Sequence, residues 1–393
     1  MILTSMKRTI CFVATVDFTI KVFLVDHFKA MYPKYDINVI TNTKDVTFLK
    51  PLGLDLKIIP LSIERKISPV HDLVALFRLY SLFRKYKFDV VHSIMPKSGL
   101  LSMLAALFAG IPVRIHTFTG QVWATRKGIV RWCLKTADKL IAFCAAQILV
   151  DSHSQRDFLI KEKVVSVLKS HVIANGSICG VDTKRFSPNP EARMNLRKKL
   201  GISETDTVFL FLGRLNRDKG LLDLANAFLE VCKTHQNVHL VIVGTDEEDM
   251  KSKILSVCGP CADRVYFEDY TDVPERYMAA ADVFCLPSYR EGFGGVIIEA
   301  ASTGIPSIGT RIYGITDAIE EGTTGLLYEP ANVNELVVRM TQFIENTDLK
   351  NEMGERARKR AIRDFSKEIV VSGMLEYYES LLTAHHNSLL TGS

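Results

Sequence analysis

No apolar run in the 393-residue sequence is long enough to span a bilayer; the longest, GLLSMLAALFAGIPV at 99–113, ends in Gly-Ile-Pro and reads as a buried helix then a strand. The opening MILTSMKRTICFVAT sets Lys7 and Arg8 before a short strand-like run, so no secretory leader is expected. The eight cysteines form no disulfide framework, which fits a reducing compartment. Their one close pair, Cys258-Gly-Pro-Cys261, has no second pair to make a zinc site and reads as a loop with two incidental thiols. Gly-x-Gly-x-x-Gly is missing after the first strand-like run, CFVATVDFTI, which argues against a dinucleotide-dependent oxidoreductase. Glutamate is almost absent from residues 1–175, where only Glu64 and Glu162 occur.

That scarcity polarises the chain. Residues 1–175 carry 25 Lys and Arg against 12 Asp and Glu, a net of +13, while 176–393 carry a net of −8 within a total of +5. Such asymmetry implies that the first half meets something anionic. With 47% hydrophobic and 24% charged residues the chain is globular, neither disordered nor collagen-like. Its length suits two domains of about 200 residues each.

Short β-branched runs at 10–15, 37–41, 57–60, 90–94, 113–117, 148–150 and 172–174 alternate with helical patterns. The second half repeats this, with strands at 208–212, 238–243, 265–268, 283–287, 307–309 and 325–328. The predicted fold class is α/β: two Rossmann-like, doubly wound parallel-sheet domains, 1–175 and 176–366, facing a central cleft. They join near IANGSICGVDTKRFSPNP, where Gly, Asn and Pro cluster. Residues 367–393 are expected to form a helix returning to the first domain, then a tail.

Two turns carry the chemistry. In SYREGFGGVIIEA, at 288–300, Glu291 and Glu299 flank a glycine-rich turn between a buried strand and a helix. Gly294 and Gly295 lie at the helix start, where N–H groups and the positive dipole end attract an anion. Glu299 falls about one turn into that helix and would accept hydrogen bonds from hydroxyls. The arrangement suits a nucleotide sugar, although on pattern alone each glutamate also fits an exposed residue. In VFLFLGRLNRDKGLLDLANAF, Arg214 and Lys219 bracket a second strand-to-helix turn and are suited to a diphosphate.

GRLNRDKG, followed by PSYREGFGGVIIEAASTGIPSI, resembles the retaining glycosyltransferases of family 4, which have the two-domain GT-B architecture. Glu291 and Glu299 match their E-x7-E motif. The likeness covers nearly the whole chain and is nearest to bacterial members that build capsule, O-antigen or other surface glycans. The resemblance implies that Arg214, Lys219, Gly294 and Gly295 bind the donor diphosphate. It further implies that Glu291, Gly292, Phe293 and Gly294 hold the donor sugar and that Glu299 holds the ribose. His116, in RIHTFTGQVW, matches a position that in many relatives contacts the donor sugar near the reacting carbon; it and Glu291 are the expected catalytic residues.

Two loops depart from the family pattern. ATVDFTIK, after the first strand, has no glycine pair, and Asp17, Thr19 and Lys21 would substitute on the acceptor side. VGTDEED replaces the usual Val-Gly-x-Gly near the nucleotide. No Asp-x-Asp occurs, and no metal or other cofactor is expected, cations replacing a metal at the diphosphate. The resemblance implies front-face transfer from a nucleotide sugar, UDP-linked by analogy, with retention of configuration. The expected acceptor is a lipid-diphosphate-linked sugar.

DLVALFRLYSLFRKYKFDVV combines Phe77, Tyr80, Phe83, Tyr86 and Phe88 with Arg78, Arg84, Lys85 and Lys87. A helix of this composition suits peripheral contact with an anionic membrane, here the inner face of the cytoplasmic membrane. No nucleic-acid recognition module is present. A nucleotide-sugar 2-epimerase on the same fold and an inert sugar-binding protein are the alternatives.

Overall fold

The structure, a computed structural model, describes residues 7–64 and 68–391, with side chains to 387. The chain forms two compact units, one comprising residues up to Cys179 together with those from Glu368 onward, the other Gly180–Lys367.

The first unit holds a seven-stranded sheet in the order β3-β2-β1-β4-β5-β6-β7. Its strands are β1 (Thr9–Val16), β2 (Asp36–Asn42), β3 (Lys57–Pro60), β4 (Val90–Ile94), β5 (Val113–Phe118), β6 (Gln147–Val150) and β7 (Ser170–Val172). The second holds six, ordered β10-β9-β8-β11-β12-β13. These are β8 (Thr207–Leu212), β9 (Val238–Val243), β10 (Val265–Glu268), β11 (Val283–Leu286), β12 (Ser307–Thr310) and β13 (Gly325–Tyr328). Every pairing is parallel. Strands buried on both faces read as near-continuous apolar runs, as in the wholly buried VFCL of β11. The α/β, doubly wound fold class is therefore the observed one. The last expected strand of the first half sits earlier, because Ala174 takes a positive φ of 48° and ends the extended run.

The terminal helix, Lys367–Thr391, packs on the first unit. Val370, Met374, Tyr378 and Leu382, four residues apart, enter the core around Ile10, Phe12 and Ile37. Tyr378 also bonds His92 Nδ1 at 2.6 Å.

The aromatic helix at Pro69–Tyr86 turns only part of its aromatic set outward. Phe83 and the following Phe88 are core residues, and Tyr86 lies beneath Lys57, 4.0 Å from its ring centroid. Phe77 and Tyr80 remain outside, in a row with exposed Val70, Leu73 and Val74. Cys258 and Cys261 are buried core thiols where a loop was expected, one ending the helix Met250–Cys258 and the other in the turn that follows. Burial pushes the Cys258 thiol up to about 12, so it is not a reactive thiolate.

Candidate active site

In the second sheet the strand order reverses between β8 and β11, and both motif turns leave the sheet there. In an open parallel sheet such a switch point opens a crevice beyond the strand ends. After β8 the chain makes a short turn, Arg217–Lys219, and enters the helix Leu221–Cys232 through Gly220. After β11 it passes through Glu291 and enters the helix Gly295–Ser302 through Gly294, whose φ of 75° makes it a left-handed cap.

The two turns are fastened together. Tyr289 N–H donates to the Asp218 carbonyl at 2.8 Å, and Arg290 Nη2 lies 3.1 Å from Asp218 Oδ2. Tyr289 O–H donates to Asp223 Oδ2 at 2.6 Å. Gly220, at φ 65°, passes so close to the Pro287 carbonyl that a Cβ there would collide with it. Across this junction Lys219 Nζ meets Glu291 Oε1 at 2.5 Å, their side chains only 19% and 15% exposed. A cation and a carboxylate 72 positions apart thus share one partly sheltered spot.

Arg214 is different. Its side chain is 56% exposed and pairs with Glu247, Nη1 to Oε1, at 3.2 Å. Asn216 Nδ2 donates to the same carboxylate at 2.9 Å, and Glu248 accepts the Arg217 N–H at 3.2 Å. An exposed pair of this kind contributes little to stability. In VGTDEED, Glu247 and Glu248 hold the Arg214 loop, while Asp246 accepts from Met250 N–H at 2.8 Å at the start of the helix Met250–Cys258.

Gly292 and Phe293 continue the Glu291 turn. Phe293 does not offer its ring to a sugar: the ring is in the core, its centroid 5.2 Å from that of Phe365, which leaves only its main chain available. Gly295 is exposed at the helix start, where first-turn N–H groups have no acceptor within the helix. Glu299 is half-buried, and burial pushes its carboxyl up to about 7, with Arg185 drawing it down and Glu275 raising it further.

The remaining sequence-predicted residues lie in the first unit. His116 is not at a strand end but two residues inside β5, and it is fully buried. Its Nδ1 bonds Ser93 Oγ at 2.8 Å, and its ring stands edge-on to Phe118 and against Gly99. Burial lowers its pKa to about 3, so it is neutral, and no face of the ring is open to a sugar in this conformation. The stretch ATVDFTIK is no loop: β1 runs to Val16 and a helix starts at once with Asp17–Phe23. Thr19 is buried, donating to Met95 Sδ at 3.1 Å, which takes its side chain away from an acceptor. Asp17 accepts from Thr43 Oγ1 at 3.2 Å, and Lys21 is exposed with its ammonium 5.3 Å from the Phe48 ring centroid.

Two family descriptions match the chain: "Glycosyl transferases group 1" over residues 192–360 and "Glycosyl transferase 4-like domain" over 34–176. The chain belongs to the GT-B glycosyltransferases of the family 4 type. It is similar to the capsular polysaccharide biosynthesis glycosyltransferase CapM of Staphylococcus aureus, 28% identical over 86% of this chain and 90% of that protein. It is also similar to the Escherichia coli UDP-Gal:alpha-D-GlcNAc-diphosphoundecaprenol alpha-1,3-galactosyltransferase, 29% identical over 77% of this chain and 78% of that one. The structure of Anabaena HepE in complex with UDP shares the fold, with a TM-score of 0.78 at 19% identity, covering 95% of this chain and 100% of that one. Neither named sequence relative is an epimerase, and nothing here supports that alternative.

In this glycosyltransferase the sequence motifs did not reveal Asp218, Asp223, Tyr289 or Arg290, which hold the two turns together. Their only signal was adjacency to Lys219 and Glu291. Among the described residues no cluster of three or more His, Cys, Asp or Glu side chains is placed to hold a metal ion.

Glu299 gives the enzyme a pH signature. Its ordinary value is 4.5, so between pH 4.5 and about 7 the folded chain keeps a proton that the unfolded chain releases. Stability from this group is therefore complete below pH 4.5 and is lost as pH rises to about 7. The melting temperature of the wild type should fall across that window relative to Glu299→Gln, and parallel curves would refute the shift.

Proposed function

We propose that the enzyme moves a hexose or N-acetylhexosamine from a UDP-linked donor to a lipid-diphosphate-linked sugar in bacterial surface glycan synthesis. The reaction proceeds with retention and without a metal. The carrying observation is the Lys219–Glu291 pair at the switch point, 2.5 Å apart on two interlocked turns. On this reading the donor diphosphate enters between Arg214 and Lys219, and Glu247 and Glu291 give up part of their hold on those cations. Glu291, released toward the sugar, accepts from its hydroxyls; Glu299 accepts from the ribose. The amides of Gly292, Phe293, Gly294 and Gly295 face the sugar and the distal phosphate.

The bond between the anomeric carbon and the diphosphate oxygen breaks as the acceptor oxygen attacks from the same face. The departing diphosphate oxygen takes the acceptor proton, so no enzyme nucleophile is needed. Arg214 and Lys219 stabilise the charge developing on that diphosphate. Glu291 and Glu299 both bind, which distinguishes them from the acid and nucleophile pair of glycoside hydrolases. UDP bound in the HepE structure supports the nucleotide, and the diphosphoundecaprenol in the E. coli relative's name supports the acceptor class.

The lipid-linked acceptor and the net +13 of residues 1–175 together support peripheral attachment to an anionic membrane. Among the described residues no helix is long and apolar enough to cross one. A screen of UDP- and GDP-sugars against lipid-diphosphate acceptors, with the anomeric configuration of the product read by NMR, tests the proposal. Free UDP and an epimerised sugar without an acceptor would overturn it. Lys219→Ala should weaken UDP binding about tenfold by calorimetry, the loss of one charge-assisted contact; unchanged affinity would remove Lys219 from the phosphate site.

A further inference from the structure

The helix Gly128–Cys144 is apolar on both faces. Its inner face is committed: Ile141, Ala142 and Cys144 are in the core, and buried Asp138 accepts from Trp123 Nε1 at 2.7 Å. Opposite them run Ile129, Trp132, Cys133, Thr136, Leu140 and Phe143, all exposed and spaced at helical intervals. Trp132 is 63% and Phe143 76% exposed. The stripe continues past the helix end: Lys169 Nζ donates to the Ala142 carbonyl at 2.6 Å, fixing beside it a turn whose Leu168 is 91% exposed. Large rings and a nearly bare leucine in one row need a cover.

The charges around the stripe identify that cover. Arg126 and Lys127 stand exposed at its start and Lys139 along it, with Lys161 and Lys163 exposed on the neighbouring segment. The nearby carboxylates mostly do not offset them: Asp138 is buried, and Glu162 is held by Arg131 at 3.0 Å and Lys135 at 2.5 Å, leaving Asp157 exposed. A second copy of this face would set cations against cations, because a two-fold contact presents the same patch from both sides. Anionic headgroups neutralise the cations while the acyl boundary receives the rings, and tryptophan favours that boundary. The helices Pro69–Tyr86 and Pro96–Phe108 contribute Leu79, Phe83, Leu101 and Ala105 to the same core, so all three cover one face of the sheet.

We propose that the outer face of the helix Gly128–Cys144, with Leu168 beside it, inserts into an anionic lipid leaflet and is the principal membrane contact of the first unit. This rests on the membrane attachment argued above and changes its site, from the helix Pro69–Tyr86 to one with larger exposed rings.

The full chain provides its own probe, since Trp123 is buried and Trp132 exposed, and these are the only two tryptophans. With vesicles of phosphatidylcholine and phosphatidylglycerol at low salt, Trp132 emission should shift to the blue and be quenched by brominated lipid. Trp132→Ser/Phe143→Ser should lower vesicle partitioning at least about tenfold while turnover of a short-chain, water-soluble acceptor stays unchanged. Equal partitioning of wild type and variant, with no quenching, would overturn this placement and leave attachment to the helix Pro69–Tyr86. Absence of wild-type binding at low salt would overturn membrane attachment itself. A wild-type dimer that this variant dissociates, with no vesicle binding, would make the face a self-interface and overturn the proposal.

Discussion

Glu291→Ala is expected to lower kcat/KM by on the order of 10²- to 10³-fold in a protein that remains folded. In the resting chain Glu291 holds Lys219 in place, and on the proposed reading it orients the donor sugar, so truncation would remove both functions at once. The loss should fall mainly on kcat, because a group that aligns the reacting carbon acts most in the transition state. Glu291→Gln keeps a hydrogen-bond acceptor but releases Lys219, and should lie between wild type and alanine. The Lys219→Ala/Glu291→Ala double variant should lose less than the sum of the single losses, since the side chains are 2.5 Å apart. Near-normal turnover of Glu291→Ala would remove this carboxylate from the donor site.

Gly220→Ala should destabilise the second unit by roughly 2–4 kcal/mol, with a loss of UDP affinity of about tenfold or more. Two costs combine. The left-handed φ of 65° costs an alanine about 1 kcal/mol. The new Cβ also strikes the Pro287 carbonyl, a main-chain atom at the end of β11 that cannot swing aside as a side chain would. Relief requires the Lys219 turn and the Glu291 turn to separate, which on the proposed reading couples stability to donor binding. Gly201 is the control: its φ is 69°, but a Cβ there meets nothing within 4 Å. Gly201→Ala should therefore cost about 1 kcal/mol and leave UDP binding intact. Chemical denaturation and calorimetry on both variants decide the matter, and equal effects would show that the contact with Pro287 is unimportant.

Most of the strands were legible from local pattern, because parallel strands buried on both faces are rich in apolar and β-branched residues. The expected strands at 238–243, 265–268 and 325–328 coincide with β9, β10 and β13. Side-chain direction was less legible. Phe293 lies in a glycine-rich turn yet points into the core, and Thr19 and His116, polar residues near strand ends, are both buried. Adjacency to a motif does not say which way a side chain faces. The pairing of Arg214 with Glu247 had no sequence signal either, since it depends on β8 and β9 lying side by side.

The sequence by itself determined two parallel-sheet units, the two strand-to-helix turns, and the residues Arg214, Lys219, Glu291 and Glu299 on them. Periodicity and glycine placement are local, and local chemistry suffices for that much. Only the tertiary structure decided that Lys219 and Glu291 meet, that Asp218 and Gly220 bind one turn to the other, and that the helix Gly128–Cys144 turns Trp132 and Phe143 outward. The physical reason is strand order. Which turns become neighbours, and which face of a doubly apolar helix meets the sheet, are set by pairings between residues distant in sequence.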